Sequence, residues 1–460
     1  MNFAVCDRRV MSRRRLASLV ALALLAALLF VVDLHNELRP PSMYLIVHRP
    51  LGLSILGGKA YTSTYPLWGY PLLIAAIGRL STSWVDDLLP ALQLVLTWVV
   101  VVAFVWRWLA RWRLPVVLGF LVVALPILSF ADSRMPDALL MAGLLAVAWS
   151  LRAWVETQRW PWLVVAAAAT AVNVNMRSEA LVFTWLAAAV AGLVVLFRRS
   201  RLAKRAAVFF AVLALAAVAG ILPWTIHTYR TNGTPLVTAT NGAHVFWVSL
   251  GQLPNNPWHR VCADWFGGQF AREHGVSDPF SIAGSDLMWP AFLGDVKAHP
   301  FAYVEKVAWN AKTAVLGGIR PTSSFWAPHV EGKSKSRLVR AAVTGHGYSL
   351  AWVVGTALWD LFRVVFVLLC GFVLLAAVRA WRADALRPEN RLLTVVCASY
   401  MVFQFAMVSF GLYLVRFMSP LYALQAMTFV QLSATERPEA LYGARAVAFA
   451  RALLERGASR

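Results

Sequence analysis

Charge is scarce in this chain: Asp, Glu, Lys and Arg make up 14% of its 460 residues, against about a quarter in a soluble domain. That shortfall excludes a water-soluble globular protein. A hydrophobic share of 60% with long charge-free runs points instead to a polytopic membrane protein. Acids are scarcer still, 22 against 43 Lys+Arg, which leaves a net charge of +21. Such a balance suggests nucleic acid, but the basic residues are scattered between apolar runs, so they mark topology and no nucleic-acid partner is expected. The four cysteines (Cys6, Cys262, Cys370, Cys397) have no CxxC or CxxH spacing, and neither a disulfide framework nor a thiolate metal site follows. HExxH is absent, so no metal ligand is assigned. There is no internal repeat and no low-complexity segment.

What is present is a series of about ten apolar runs, roughly 16–33, 87–106, 114–131, 137–154, 161–177, 180–197, 206–226, 361–378, 392–412 and 416–432. Each is near the ~20 residues that cross a hydrocarbon core. The first follows Arg13, Arg14 and Arg15 and lacks a clear small-residue cleavage site, so it reads as a retained span. Basic clusters sit at alternate ends of the runs and hold 24 of the 43 Lys+Arg. By the positive-inside rule these turns and both termini are cytoplasmic, which an even number of spans satisfies. The expected organisation is an N-terminal transmembrane module over 1–226 with a first outer loop at 33–86. A mixed periplasmic domain over 227–348, a C-terminal transmembrane module over 349–432 and a cytoplasmic tail over 433–460 complete it. The fold class is thus all-α and polytopic with a mixed outer domain. Within the first loop, Tyr70–Ile77 is too short to span and reads as an interfacial or re-entrant helix.

Charges at membrane depth are costly and tend to face a cavity or the protein interior. Here they gather at the outer ends of the spans: Asp33 and Glu37, then Asp132, Arg134 and Asp137, then Arg177 and Glu179, then His227 and Arg230, and last Tyr413 and Arg416. Converging turns would form one rim where carboxylates and guanidiniums meet. An Arg fork binds phosphate in two places at once, and a nearby carboxylate can deprotonate a hydroxyl. Structural roles compete with these. Asp132 and Asp137 suit the start of a helix, Arg177 with Glu179 suits a local ion pair at a helix end, and Arg134 can balance Asp132.

Several stretches, in order, resemble bacterial membrane glycosyltransferases of the GT-C superfamily, in the protein-mannosyltransferase-like group. They are KAYTSTYPLWGYPLL from Lys59, the turn ending RSEALVF, PWTIHTYRTNGTPLVTATNGAHVFWVSLGQ, AHPFAYVEKVAWNAKTAVLG and VRFMSPLYAL. The resemblance implies an inverting transfer of a sugar from a polyprenyl-phosphate donor, at the outer face of a bacterial inner membrane, to a glycan, lipid or protein acceptor. It implies an Asp base in the first outer loop, four residues before a Tyr. Pro40 stands at that place before Tyr44, so Asp33 is the nearest aspartate and Glu37 the other candidate. Asp132 or Asp137 takes the second acidic position. Arg177 and Arg416, with Arg134 nearby, fall where donor phosphate is held. Glu179, His227, Arg230 and Tyr413 are left to face the acceptor, with His227 where the group commonly has Arg and Tyr229 where it commonly has Asn. No cofactor is required, and a divalent cation is left open. A transporter of a lipid-linked sugar, or an inactive relative that only binds a glycolipid, are the alternatives.

Overall fold

The structure, a computed structural model, describes residues 44–109, 135–197, 200–314 and 388–411, with isolated helical positions at 371, 375, 378, 379 and 448. Among these residues the chain is mostly helical and has no strand. A π-helical turn over Tyr44–His48 leads into α1 (Arg49–Leu56), followed by α2 (Gly69–Gly78) and α3 (Val85–Leu109). The bundle continues with α4 (Asp137–Thr157), α5 (Pro161–Met176), α6 (Ser178–Phe197) and α7 (Arg201–Asn232). A second layer comprises α8 (Gly242–Ser249), α9 (Asp264–Glu273), α10 (Ile282–Ala298) and α11 (Pro300–Lys312). The last of the described helices given a range is α12 (Pro388–Phe410).

Among the described residues three segments are long and apolar enough to cross a membrane: α4, α7 and Leu392–Phe410 of α12. Shorter apolar helices lie at Gly69–Gly78, Pro161–Met176 and Ser178–Leu193. The runs expected at 16–33, 114–131 and 416–432 lie outside the described residues, as do the tail (one helical position apart) and nearly all of 361–378. Helix α7 shows how the sequence specifies depth. Phe209, Phe210, Leu213, Ala217, Ile221 and Trp224 recur at three- and four-residue spacing and are buried. Its other face exposes Val208, Leu215, Val218 and Leu222, and a helix apolar all round suits lipid on the side its neighbours leave open. Ser200 starts it by accepting from the Ala203 amide (3.1 Å), and Gly233 at φ 72° ends it in the left-handed conformation.

Two expectations change here. The boundary at 226/227 falls inside α7, which carries His227 and Arg230 as helical residues; Pro223 does not end it, and the stop comes only at Gly233. The segment expected as a mixed outer domain consists, over its described residues 227–314, of helices joined by loops with no strand, with Ser281 capping α10 through the Gly284 amide (3.1 Å) and Pro300 opening α11. Its core packs Trp247 on Phe270 (centroids 4.4 Å apart), with the Arg260 guanidinium 4.4 Å above the Trp247 ring. Arg260 also grips Asp295 with both arms of its fork, at 3.0–3.3 Å.

The segment expected as an interfacial or re-entrant helix is α2, and Tyr70, Ile74 and Ile77 of it are buried with Tyr44, Val85 and Leu89. A polar relay pins it. Tyr70 Oη donates to Gln93 Oε1 (3.1 Å), and Gln93 Nε2 donates to the Met135 carbonyl (2.7 Å), just before α4 begins. Gly69 packs so closely on α5 that a Cβ there would stand 2.6 Å from the Asn175 carbonyl oxygen.

The outer layer is latched to α12 by a fully buried lysine. Lys306 Nζ donates to the carbonyls of Phe410 (2.8 Å), Ser409 (3.4 Å) and Gly411, the unmet acceptors of a helix C-terminus. Asn310 Nδ2 reaches the Gly411 carbonyl as well (3.2 Å). A cation is favoured at that pole, yet burial pushes the Lys306 pKa from 10.5 down to about 7. Between those values the unfolded chain binds the extra proton, so stability rises with pH across that window and is flat below it. The melting temperature in detergent should therefore climb from about pH 7 towards about pH 10, a climb of up to ~1.4 kcal/mol per pH unit. Lys306→Met should flatten that climb; an unchanged slope would assign it to other groups.

Candidate functional site

A cavity of about 350 Å³ opens where the ends of α4, α6 and α12 meet α8 and α9. It lies at the end of the bundle opposite the basic turns that carry Arg159, Arg201, Lys204 and Arg205. Pro136, Asp137, Arg177, Ser178 and Glu179 line its floor. Gln404, Met407 and Val408 of α12 contribute one wall, while Asn241, His244, Phe246, Asp264 and Phe280 come from the outer layer. His48, Tyr65, Pro66 and Leu67 of the first loop close another side.

Arg177 sits at the break between α5 and α6, with extended backbone (φ −151°, ψ 132°). That conformation turns the side chain out of both helices and across to α4. One terminal nitrogen of the guanidinium pairs with Asp137 Oδ1 and the other with Glu179 Oε1 (2.5 Å). The side chain of Asp137 is 2% exposed, those of Arg177 and Glu179 12% and 17%. The local pair anticipated for Arg177 and Glu179 thus exists, and Asp137 extends it to a third helix end. Asp137 does begin α4, but the preceding position is Pro136 and no side chain caps the helix. One guanidinium against two carboxylates leaves the floor with a net negative charge, and the Arg177 fork is already engaged.

The other expected residues part company. His227 and Arg230 do not line the cavity. His227 Nε2 meets the Tyr61 carbonyl, and its ring stacks on Trp68 (5.3 Å, 29°), while Arg230 is exposed. Asp33, Glu37, Asp132, Arg134, Tyr413 and Arg416 lie outside the described residues.

Two cavity residues escaped the sequence reading. His244 is fully buried, and its Nε2 lies 3.1 Å from Oδ1 of Asp264, a side chain 68% exposed. They stand twenty positions apart on different helices, with no spacing rule to join them. The available signal was Gly267, where a Cβ would come within 2.6 Å of His244 Nδ1, so the close approach of α9 to that ring requires glycine. Among the described residues, no three His, Cys, Asp or Glu side chains are grouped as a metal ion would need.

No family model, curated protein or solved structure matches this chain.

Removing the guanidinium would strand Asp137 as a buried carboxylate beside a second one. Arg177→Ala should destabilise the fold by about 3–5 kcal/mol, the usual cost of orphaning one member of a buried pair. The double change Arg177→Ala with Asp137→Ala should recover part of that loss. Melting temperatures of the two variants check this, and a double variant no more stable than the single would refute the pairing energy.

Proposed function

We propose that this chain is an inner-membrane glycosyltransferase of bacteria, which moves a sugar from a polyprenyl-phosphate donor onto a hydroxyl acceptor at the face opposite the basic turns. The observation that carries the reading is the cavity itself. It sits at the ends of apolar helices, is roofed by a helical layer with its own hydrophobic core, and brings Asp137, Arg177, Glu179, His244 and Asp264 around one space. Exposed apolar side chains begin at the cavity with Val182 and continue along the helices through Val172, Trp185 and Leu186, a surface on which a prenyl tail would stay in the bilayer while its head group enters. The ordered likeness of five stretches to GT-C enzymes supports the same reading.

Within it, Arg177 acts mainly as an organiser. Its fork aligns Asp137 and Glu179, which then hydrogen-bond sugar or acceptor hydroxyls. Holding the departing phosphate falls chiefly to Arg134 and Arg416, whose fixed positive charge would stabilise the anion that develops as the anomeric bond breaks. Asp33 and Glu37 remain the first-loop candidates for the base, and His227 and Arg230 would touch only the outer end of a long acceptor.

The test is release of free polyprenyl phosphate by the full chain in lipid nanodiscs, from a panel of polyprenyl-phosphate sugars with candidate acceptors. One donor should be turned over, and Arg416→Ala should lower turnover about 100-fold or more, the usual loss when an oxyanion-stabilising donor is removed. Co-purification of a lipid-linked sugar with no release from any donor would instead identify a transporter or a binder.

A further inference from the structure

Resting on that transferase reading, we infer that Asp264 is the carboxylate that takes the acceptor's proton, with His244 as the residue that positions it.

The geometry supplies the argument. Asp264 is the first residue of α9, where the positive pole of the helix favours an ionised carboxylate. Its side chain is largely open and lines the cavity. Behind it, His244 is entirely buried on α8, with its ring against Phe280 at 4.6 Å. Nε2 is the atom that faces the carboxylate, so Nε2 carries the hydrogen and donates. Nδ1 is then an acceptor, and it has no hydrogen-bond partner among the described residues. The contact with Asp264 is thus the ring's one hydrogen bond among the described residues, and it holds that carboxylate at a fixed angle across the cavity. Gly267 gives the ring its place, because any side chain there would drive it off.

Asp137 and Glu179 are poorly suited to the same task, since the Arg177 guanidinium is directed at both. Asp264 faces them from the outer layer, the side from which a water-borne acceptor arrives. In the proposed step the acceptor O–H proton passes to Asp264 while the acceptor oxygen bonds to the anomeric carbon. The bond from that carbon to the phosphate oxygen breaks, and its electron pair leaves with the polyprenyl phosphate. Water then removes the proton from Asp264. Configuration at the anomeric carbon inverts.

The experiment compares wild type, Asp264→Asn, Asp264→Glu, His244→Gln, His244→Leu and Asp33→Asn in the nanodisc release assay, with donor KM, kcat and melting temperature for each. Asp264→Asn should lower kcat about 100-fold or more, the range expected for a lost general base. Its donor KM and melting temperature should stay close to wild type, and Asp264→Glu should recover part of the rate. His244→Gln, which keeps an N–H, should retain much more turnover than His244→Leu, a graded rescue that a purely structural role would not give. An active Asp264→Asn beside an inactive Asp33→Asn would overturn the assignment and return the base to the first loop, leaving the transferase reading intact. A wild-type protein that releases phosphate from no donor would overturn both.

Discussion

The guanidinium of Arg177 reaches from a one-residue break between α5 and α6 to carboxylates on α4 and α6, and the floor of the cavity is built on that reach. None of the three charges would be stable there alone, because burial of a lone ion costs several kcal/mol. Together they fix which helix ends are neighbours and how far apart those ends lie. The arrangement also sets the sign of the floor. Two carboxylates around one cation leave it acidic, which suits hydrogen bonding to sugar hydroxyls better than it suits a phosphate. An anion entering this space needs cations from elsewhere in the chain.

The outer layer is positioned over the floor by tethers of a different kind, mostly to backbone. Thr240 accepts no freedom: its amide donates to the Thr64 carbonyl (3.2 Å), and its hydroxyl lies 2.8 Å from that of Thr64 and also meets the Phe280 carbonyl. Trp68 donates to Asn175 Oδ1 (2.9 Å), whose amide nitrogen donates to the Gly220 carbonyl (2.8 Å), tying the first loop to α5 and α7 at once. With Lys306 and Asn310 on the end of α12, the roof is secured at opposite edges. The cavity between them is therefore a preformed space whose walls come from segments distant in sequence.

Much of the bundle was legible in the sequence. The runs at 137–154, 161–177, 180–197 and 392–412 return as helices shifted by a few residues, because an apolar run bounded by Arg, Pro or Gly leaves the backbone little choice. The pair Arg177 and Glu179 was legible too, lying two positions apart in one turn. Other parts were hidden for physical reasons. An apolar window closes at the first polar residue, whereas the hydrogen-bonded helix α7 continues to its glycine stop, so His227 was placed in a loop. His244 and Asp264 belong to a segment without a clean period, and the contact between α8 and α9 is set by side-chain packing around Trp247 and Gly267. A single chain read in order does not display such a pairing.

Helix α7 has a consequence for scale. Its 32 residues rise about 48 Å at 1.5 Å per residue, against ~30 Å of hydrocarbon. Its length thus exceeds that thickness by about 18 Å, and its last turns carry His227 to the carbonyl of Tyr61 and Thr228 to the amide of Leu236 (3.0 Å). The helix works as a ruler: one continuous rod, long and apolar enough to cross a membrane, sets the distance between its basic start at Arg201 and the first loop it holds at its far end.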